Sequence, residues 1–115
     1  MKVYGTKTNA GFKKAKEFFD KNGIEYDFIN LKDNAIDAQK VAFWLSFTDI
    51  KTLFNTHSTA YKALSDKNIS DEQKIELMIE DSGAIKSPVI EHGLNGECKL
   101  TFGFDEDEYN STFLA

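Results

Sequence analysis

Very few side chains in this sequence could act as nucleophiles or metal ligands. The chain has one cysteine, Cys98, and two histidines, His57 and His92. A single cysteine excludes an internal disulfide and a cysteine-based zinc cluster. Cys98 falls in a predicted strand, where no helix N-terminus would activate the thiol, and a cysteine there is most often a small buried hydrophobe. Neither histidine has a second metal ligand at helical spacing, so we predict no metal site. Neither belongs to a recognisable catalytic triad, and we place both histidines on the surface or in loops.

The stretch Val3–Phe19 has the pattern of a possible binding site. It reads as a short apolar strand, a polar turn and an amphipathic helix that begins at Thr8 or Asn9 and ends near Gly23. The first N–H groups of a helix lack backbone acceptors and lie at the positive end of its dipole, so anions and thiolates are often stabilised there. The same pattern is also that of an ordinary connection between a strand and a helix.

Composition and charge narrow the class of protein. A chain of 115 residues with 41% hydrophobic residues is expected to fold as one domain, residues 1–115, around a single core. A net charge of −5 argues against direct nucleic-acid binding. We expect a cytoplasmic protein, because no apolar run is long enough for a membrane span and no signal peptide is recognisable. All 14 basic residues are lysines, so no guanidinium is present to grip an oxyanion with two parallel hydrogen bonds.

The remaining pattern predicts an α/β fold. The expected elements after the first helix are a strand over 24–29, a helix over 36–47, short helical pieces over 50–54 and 59–64, a helix opened by a Ser70–Gln73 capping box, a hairpin of strands 87–91 and 98–102 around a loop over 92–96, and a last helix capped by Asp105. A strand, helix and strand of these lengths form a right-handed parallel crossover. The order predicts a four-stranded mixed β-sheet flanked by helices, with a helical insert between the βαβ half and the C-terminal β-hairpin.

Four ordered segments resemble the arsenate reductase (ArsC) and Spx family, a branch of the thioredoxin fold. They are Tyr4 with the following turn and Lys14-Ala15, then Leu53–Leu64, Ala84–Ile90 and Leu100–Tyr109. The resemblance covers nearly the whole chain and implies a thioredoxin-like sheet. It also implies a cis peptide bond before the only proline, Pro88, at the start of the third strand and facing the turn.

The residues that carry this family's chemistry are replaced. By resemblance, the reactive cysteine would stand at Asn9 and the second cysteine of Spx-type members at Phe12. An arginine usually precedes the proline and another is common in the middle motif, where this chain has Ser87 and His57. Because only a thiolate attacks arsenic or a mixed disulfide, we predict no catalytic residue at these positions.

We therefore interpret the chain as a family member that has lost reductase chemistry and acts as a binding or regulatory module, with a protein partner. The resemblance implies that its groove is lined by Thr8, Asn9, Phe12, His57, Ser87 and Pro88.

Two alternatives remain open. The first is a glutathione-dependent thiol or arsenate reductase that uses Cys98. A related but weaker possibility is that glutathione or an anion binds near Lys13 or Lys14 without turnover. The second is an Spx-type transcriptional regulator that contacts RNA polymerase through a surface at Phe47–Lys51, although this segment lacks the glycine-bearing turn expected there.

Overall fold

The computed structural model describes residues 1–93 and 97–114. Its sheet has the strand order β2-β1-β3-β4, where β1 is Lys2–Gly5, β2 is Asp27–Asn30, β3 is Val89–His92 and β4 is Lys99–Phe102. Strands β1 and β2 are parallel, whereas β3 is antiparallel to both β1 and β4. The predicted four-stranded mixed sheet is therefore confirmed.

Helices cover both faces of this sheet. They are α1 (Ala10–Lys21), α2 (Ala38–Leu45), α3 (Ile50–Leu53), α4 (Thr59–Lys62), α5 (Asp71–Glu80) and α6 (Glu106–Phe113), and a 3₁₀ turn (Ser82–Ala84) follows α5. Because side chains alternate along β1, Val3 packs with α1 and α6, whereas Tyr4 packs with α2, α3 and α5. Each face thus has its own apolar cluster, and the helical insert α2–α5 belongs to one of them.

The helix ends follow the predicted caps. Asn9 is the N-cap of α1, and Gly23 lies just past its end with a φ of 66°, which suits glycine. The capping box of Ser70 and Gln73 opens α5, and the Asp105 carboxylate accepts from the Glu108 N–H at the start of α6. These local signals therefore fix where the elements begin.

Strand β2 is shorter than predicted, and the reason is the end of α1. The N–H of Ile24 donates to Phe19 O in the helix, so this residue is not free to pair with β1. Its side chain still packs against the α1 cluster together with those of Tyr26 and Phe28. The alternating pattern correctly identified a buried face but overestimated the length of the ladder. Helix α2 likewise occupies only Ala38–Leu45 of the predicted range.

Cys98 was predicted to be a strand residue and a buried hydrophobe, and both predictions are wrong. The ladder between β3 and β4 begins at the pair of His92 and Lys99, so Cys98 lies just outside the strand, and it is exposed. The predicted hairpin loop over 92–96 extends into residues 94–96, which lie outside the described part of the chain. His92 was predicted in this loop but is the last residue of β3 and is half-buried.

Candidate functional site

The turn between β1 and α1 is held by the segment that precedes β3. Val89 pairs with Tyr4, which brings Ser87 and Pro88 beside the end of β1. The Ser87–Pro88 peptide bond is cis, as predicted. The Ser87 side chain is 5% exposed, and its Oγ accepts a hydrogen bond of 3.1 Å from the Thr6 N–H. The serine therefore fastens the turn to the sheet. Unlike the arginine that usually precedes the proline in the ArsC and Spx family, it supplies no charge to the site.

Two glycines make this close packing possible. A Cβ atom at Gly5 would lie 2.8 Å from both Ser87 Oγ and Phe12 Cδ1, and one at Gly11 would lie 3.0 Å from the Ser87 carbonyl oxygen. Distances this short require the neighbours to move. The turn, the first turn of α1 and the proline segment thus leave no space for a larger residue at either glycine.

Phe12 and Pro88 do not line the groove, contrary to the prediction. Phe12 is 4% exposed, its ring lies 4.8 Å from the ring of Phe28, and it belongs to the core cluster under α1. Its spacing from Ala15 and Phe19 places all three on the buried face of the helix. Pro88 is fully buried. Both residues therefore belong to the packed interior of the protein.

The remaining four predicted groove residues come together around an open cavity of about 330 Å³. Thr8, Asn9, His57 and Ser87 lie on its walls. The other lining residues, which sequence reasoning missed, are Thr6, Lys32, Asn55, Ser58–Ala60, Asp81, Gly83 and Ile85. They come from separate loops that meet only in the folded chain, so no local spacing marks them.

Four side-chain oxygens of this cavity already accept a local backbone hydrogen bond. The N–H of Phe12 donates to Asn9 Oδ1 (3.0 Å), that of His57 to Asn55 Oδ1 (2.9 Å), that of Tyr61 to Ser58 Oγ (3.2 Å) and that of Gly83 to Asp81 Oδ1 (2.9 Å). Ser87 Oγ is engaged by Thr6 as described above. The four neutral side chains among these also keep donors that the bonds do not use, namely two carboxamide NH₂ groups and two hydroxyl protons, and each oxygen keeps a second lone pair.

The formal charges in the cavity nearly cancel. Lys32 and Asp81 are its only lysine and carboxylate, and His57 is the only other ionisable side chain on its walls. Across the described residues, no group of three or more histidine, cysteine, aspartate or glutamate side chains is arranged to hold a metal. The cavity can therefore bind through neutral hydrogen-bond donors, but it presents no thiol and no cluster of cations.

Cys98 lies at the other end of the sheet. The β1–α1 turn follows Gly5, which is level with the start of β3, whereas Cys98 precedes Lys99, which pairs with the last residue of β3. A four-residue strand spans roughly 13 Å, so the thiol is separated from the cavity by about the length of β4.

A second polar cluster is built around Glu91 on β3. One carboxylate oxygen accepts from Lys40 Nζ (2.9 Å) and Trp44 Nε1 (3.0 Å), and the other accepts from the Tyr4 hydroxyl (3.2 Å). Burial alone would raise the pKa of Glu91, but the hydrogen bonds from Trp44, Lys40 and Tyr4 and the lysine charge hold this pKa below its usual value. The carboxylate thus ties α2 to the sheet, and both of its oxygens accept hydrogen bonds.

His92, at the end of β3, also has a structural environment. Its Nε2 lies 2.8 Å from Thr101 Oγ1, and its ring packs 5.0 Å from the ring of Phe113. Burial, with smaller effects from Lys99 and the chain's N-terminal amine, lowers the pKa of this histidine. These contacts join β4 and α6 and show no catalytic partner among the described residues.

The fold and the site together define a class of protein. A parallel βαβ unit, an antiparallel hairpin with a cis-proline at its start, and a helix N-terminus facing that proline constitute a thioredoxin-like fold. The ArsC family model matches residues 4–112. The chain belongs to the ArsC family.

Solved structures agree with this assignment. A protein called YffB is 28% identical, with 96% of each chain covered and a TM-score of 0.80. The Staphylococcus aureus COL protein SACOL0876 is 32% identical over 99% of this chain and 98% of its own, with a TM-score of 0.74. An arsenate reductase (ArsC) related protein from Brucella melitensis is 29% identical over 97% and 92%, with a TM-score of 0.70. Among curated proteins, none matches this chain.

None of the helices in residues 1–93 and 97–114 is long and apolar enough to cross a membrane.

Proposed function

We propose that this ArsC-family chain is a binding module that has lost reductase chemistry. The observation that carries the proposal is the occupation of the α1 N-cap, where the family resemblance places the reactive cysteine. Asn9 stands there, its Oδ1 is engaged by the Phe12 N–H, and a carboxamide has no nucleophilic form. The position three residues later is a core phenylalanine.

The position of Cys98 supports the same conclusion. A substitute nucleophile would have to meet the substrate in the cavity, but this thiol lies beyond the far end of β4. No positively charged side chain or helix N-terminus of the described chain is bonded to it. A reductase that uses Cys98 would therefore need a second site that shares nothing with the cavity.

The direct test is a turnover assay on the purified protein beside Cys98→Ser. We expect no glutathione-coupled reduction of arsenate or of a small mixed disulfide by either protein. Turnover by the wild type that disappears in Cys98→Ser would overturn the proposal in favour of a thiol-dependent enzyme.

A gain-of-function variant tests whether only the nucleophile has been lost or whether the turn has also lost the ability to activate a thiol. We expect Asn9→Cys, made in the Cys98→Ser background, to carry an activated thiol, because a thiolate at the N-cap can accept the Phe12 N–H and lies at the helix N-terminus. Its alkylation by iodoacetamide at pH 6.5 should be about tenfold faster than that of Cys98 in the wild type.

The matched control is Asn9→Ser in the same background, since serine also caps helices but is not alkylated. Equal rates for the introduced cysteine and for Cys98 would mean that the turn no longer activates a thiol. In that case loss of the nucleophile alone would not explain the change of function.

A second candidate, a regulatory protein contact, is favoured by one observation. Helix α2 and the residues after it expose two phenylalanines, Phe43 (38%) and Phe47 (48%), whose rings pack edge to face at 5.2 Å. Phe47 is the first residue of the segment Phe47–Lys51 that the family resemblance assigns to polymerase contact, and Phe43 precedes it by about one helical turn. Purified RNA polymerase core should retain the wild type but not Phe43→Ser/Phe47→Ser if this candidate is correct, and equal retention or none would exclude it.

A further inference from the structure

We propose that the cavity binds an uncharged ligand through the ligand's carbonyl oxygens and discriminates against oxyanions. This inference names the ligand class of the site and rests on the proposed binding function. It would assign the cavity to amide-bearing groups, such as a peptide bond or a side-chain carboxamide of another protein.

The unused hydrogen-bonding groups of the cavity include many donors. The oxygens of Asn9, Asn55 and Ser58 each accept a backbone N–H from a residue two or three positions further along the chain. These bonds fix the side chains and use one lone pair of each oxygen, whereas the NH₂ groups and the hydroxyl proton take no part in them. Ser87, whose oxygen accepts from Thr6, is in the same condition. A ligand that accepts hydrogen bonds is therefore favoured over one that mainly donates.

The formal charges of the cavity side chains also affect which ligands can bind. An oxyanion also accepts hydrogen bonds, but removing it from water requires compensation by positive charge or by many donors. Lys32 and Asp81 both line the cavity, and the Asp81 Oδ1 is fixed by the Gly83 N–H at 2.9 Å. The formal charges of these two side chains cancel, which suits a neutral carbonyl better than an anion.

The test follows backbone amide signals of 8–10 and 55–60 by NMR. The probes are N-acetyl-glutamine methylamide, which offers three amide carbonyls without charge, and sodium sulfate and sodium arsenate at constant ionic strength. We expect saturable shifts with the amide probe and none with either anion up to the same concentration. Saturable binding of sulfate or arsenate as tight as that of the amide probe would overturn the inference, and so would an amide probe that causes no saturable shift.

A matched pair of variants isolates the role of charge. Asp81→Asn removes the negative charge and keeps an oxygen for the Gly83 N–H. We expect this variant to bind sulfate saturably, with a dissociation constant at least about tenfold below the highest concentration at which the wild type shows no saturable shift, as one charge close to the anion implies. Glu80→Gln changes the adjacent residue, which does not line the cavity, and should behave like the wild type. No gain in Asp81→Asn, or an equal gain in Glu80→Gln, would contradict the assignment of selectivity to Asp81.

These outcomes are independent of the proposed loss of chemistry. Sulfate binding as tight as that of the amide probe, without turnover, would reject the carbonyl assignment and leave the binding function in place. Arsenate turnover would reject the proposed function whichever probe binds.

Discussion

The polar groups at the two ends of the sheet differ in how fully their hydrogen-bonding capacity is used within the chain. At the start of β1, the Glu91 carboxylate accepts three hydrogen bonds, from Lys40, Trp44 and Tyr4, and its side chain is 12% exposed. At the end of β1, the cavity is lined by hydroxyls and carboxamides, and the protons of Asn9 and Ser87 take no part in the bonds that engage their oxygens. A satisfied network stabilises the fold, whereas a partly satisfied one is available to a ligand. Polarity alone therefore does not mark a candidate binding site, whereas unused hydrogen-bonding capacity in an open cavity does.

Removing the Glu91 carboxylate should produce the largest effect on stability. Glu91→Ala leaves the Trp44 N–H, the Lys40 ammonium and the Tyr4 hydroxyl without their shared acceptor in a nearly closed site. We expect the free energy of unfolding to fall by about 3 kcal/mol. Urea unfolding followed by circular dichroism measures this loss.

Glu91→Gln is the control for shape, because it keeps the side-chain volume and one acceptor, and it should lose only about 1 kcal/mol. A loss below about 1 kcal/mol in Glu91→Ala would show that the network is not structural. The contrast between the two ends of the sheet would then fail.

A smaller effect is expected at the cavity end from Ser87→Ala. This change removes the acceptor of the Thr6 N–H beneath the turn, and we expect a loss of about 1–2 kcal/mol in the same unfolding experiment. Ser111→Ala, which alters an exposed hydroxyl on α6, should stay within about 0.5 kcal/mol of the wild type. Equal losses in both variants would mean that Ser87 does not hold the turn.

The smallest effect is a dependence on pH that originates at the Glu91 end. Since the folded state lowers the pKa of Glu91, the unfolded chain binds more protons between the two pKa values, and stability falls as the pH drops below about 4.3. Asp49, the N-cap of α3, acts in the same direction because the Thr52 N–H lowers its pKa. Glu91→Gln should therefore reduce the loss of stability between pH 5 and pH 3 without abolishing it. An unchanged pH profile in this variant would assign the acid sensitivity elsewhere.

Local signals were sufficient for much of the fold. Asn9, the Ser70–Gln73 capping box and Asp105 predicted helix starts because a cap depends on residues within one turn. The cis bond at Pro88 was expected only through the family resemblance, since sequence physics alone favours trans. These predictions needed no knowledge of distant contacts.

The site was only partly predictable because it is assembled from distant segments. Thr8, Asn9, His57 and Ser87 were anticipated from the resemblance, but Asn55 and Asp81 became recognisable only when their loops met at the cavity. Phe12 was wrongly placed there because its position in the family motif outweighed its helical spacing with the core residues of α1. Helical periodicity alone would have assigned that side chain correctly.

The exposed thiol has one consequence for oxidising conditions. Because Cys98 lies beyond the end of β4 that is remote from the cavity, a disulfide between two molecules would join them hairpin to hairpin. Such a linkage would lie about the length of β4 away from each cavity. Under the proposed function, an oxidised dimer would therefore be bivalent.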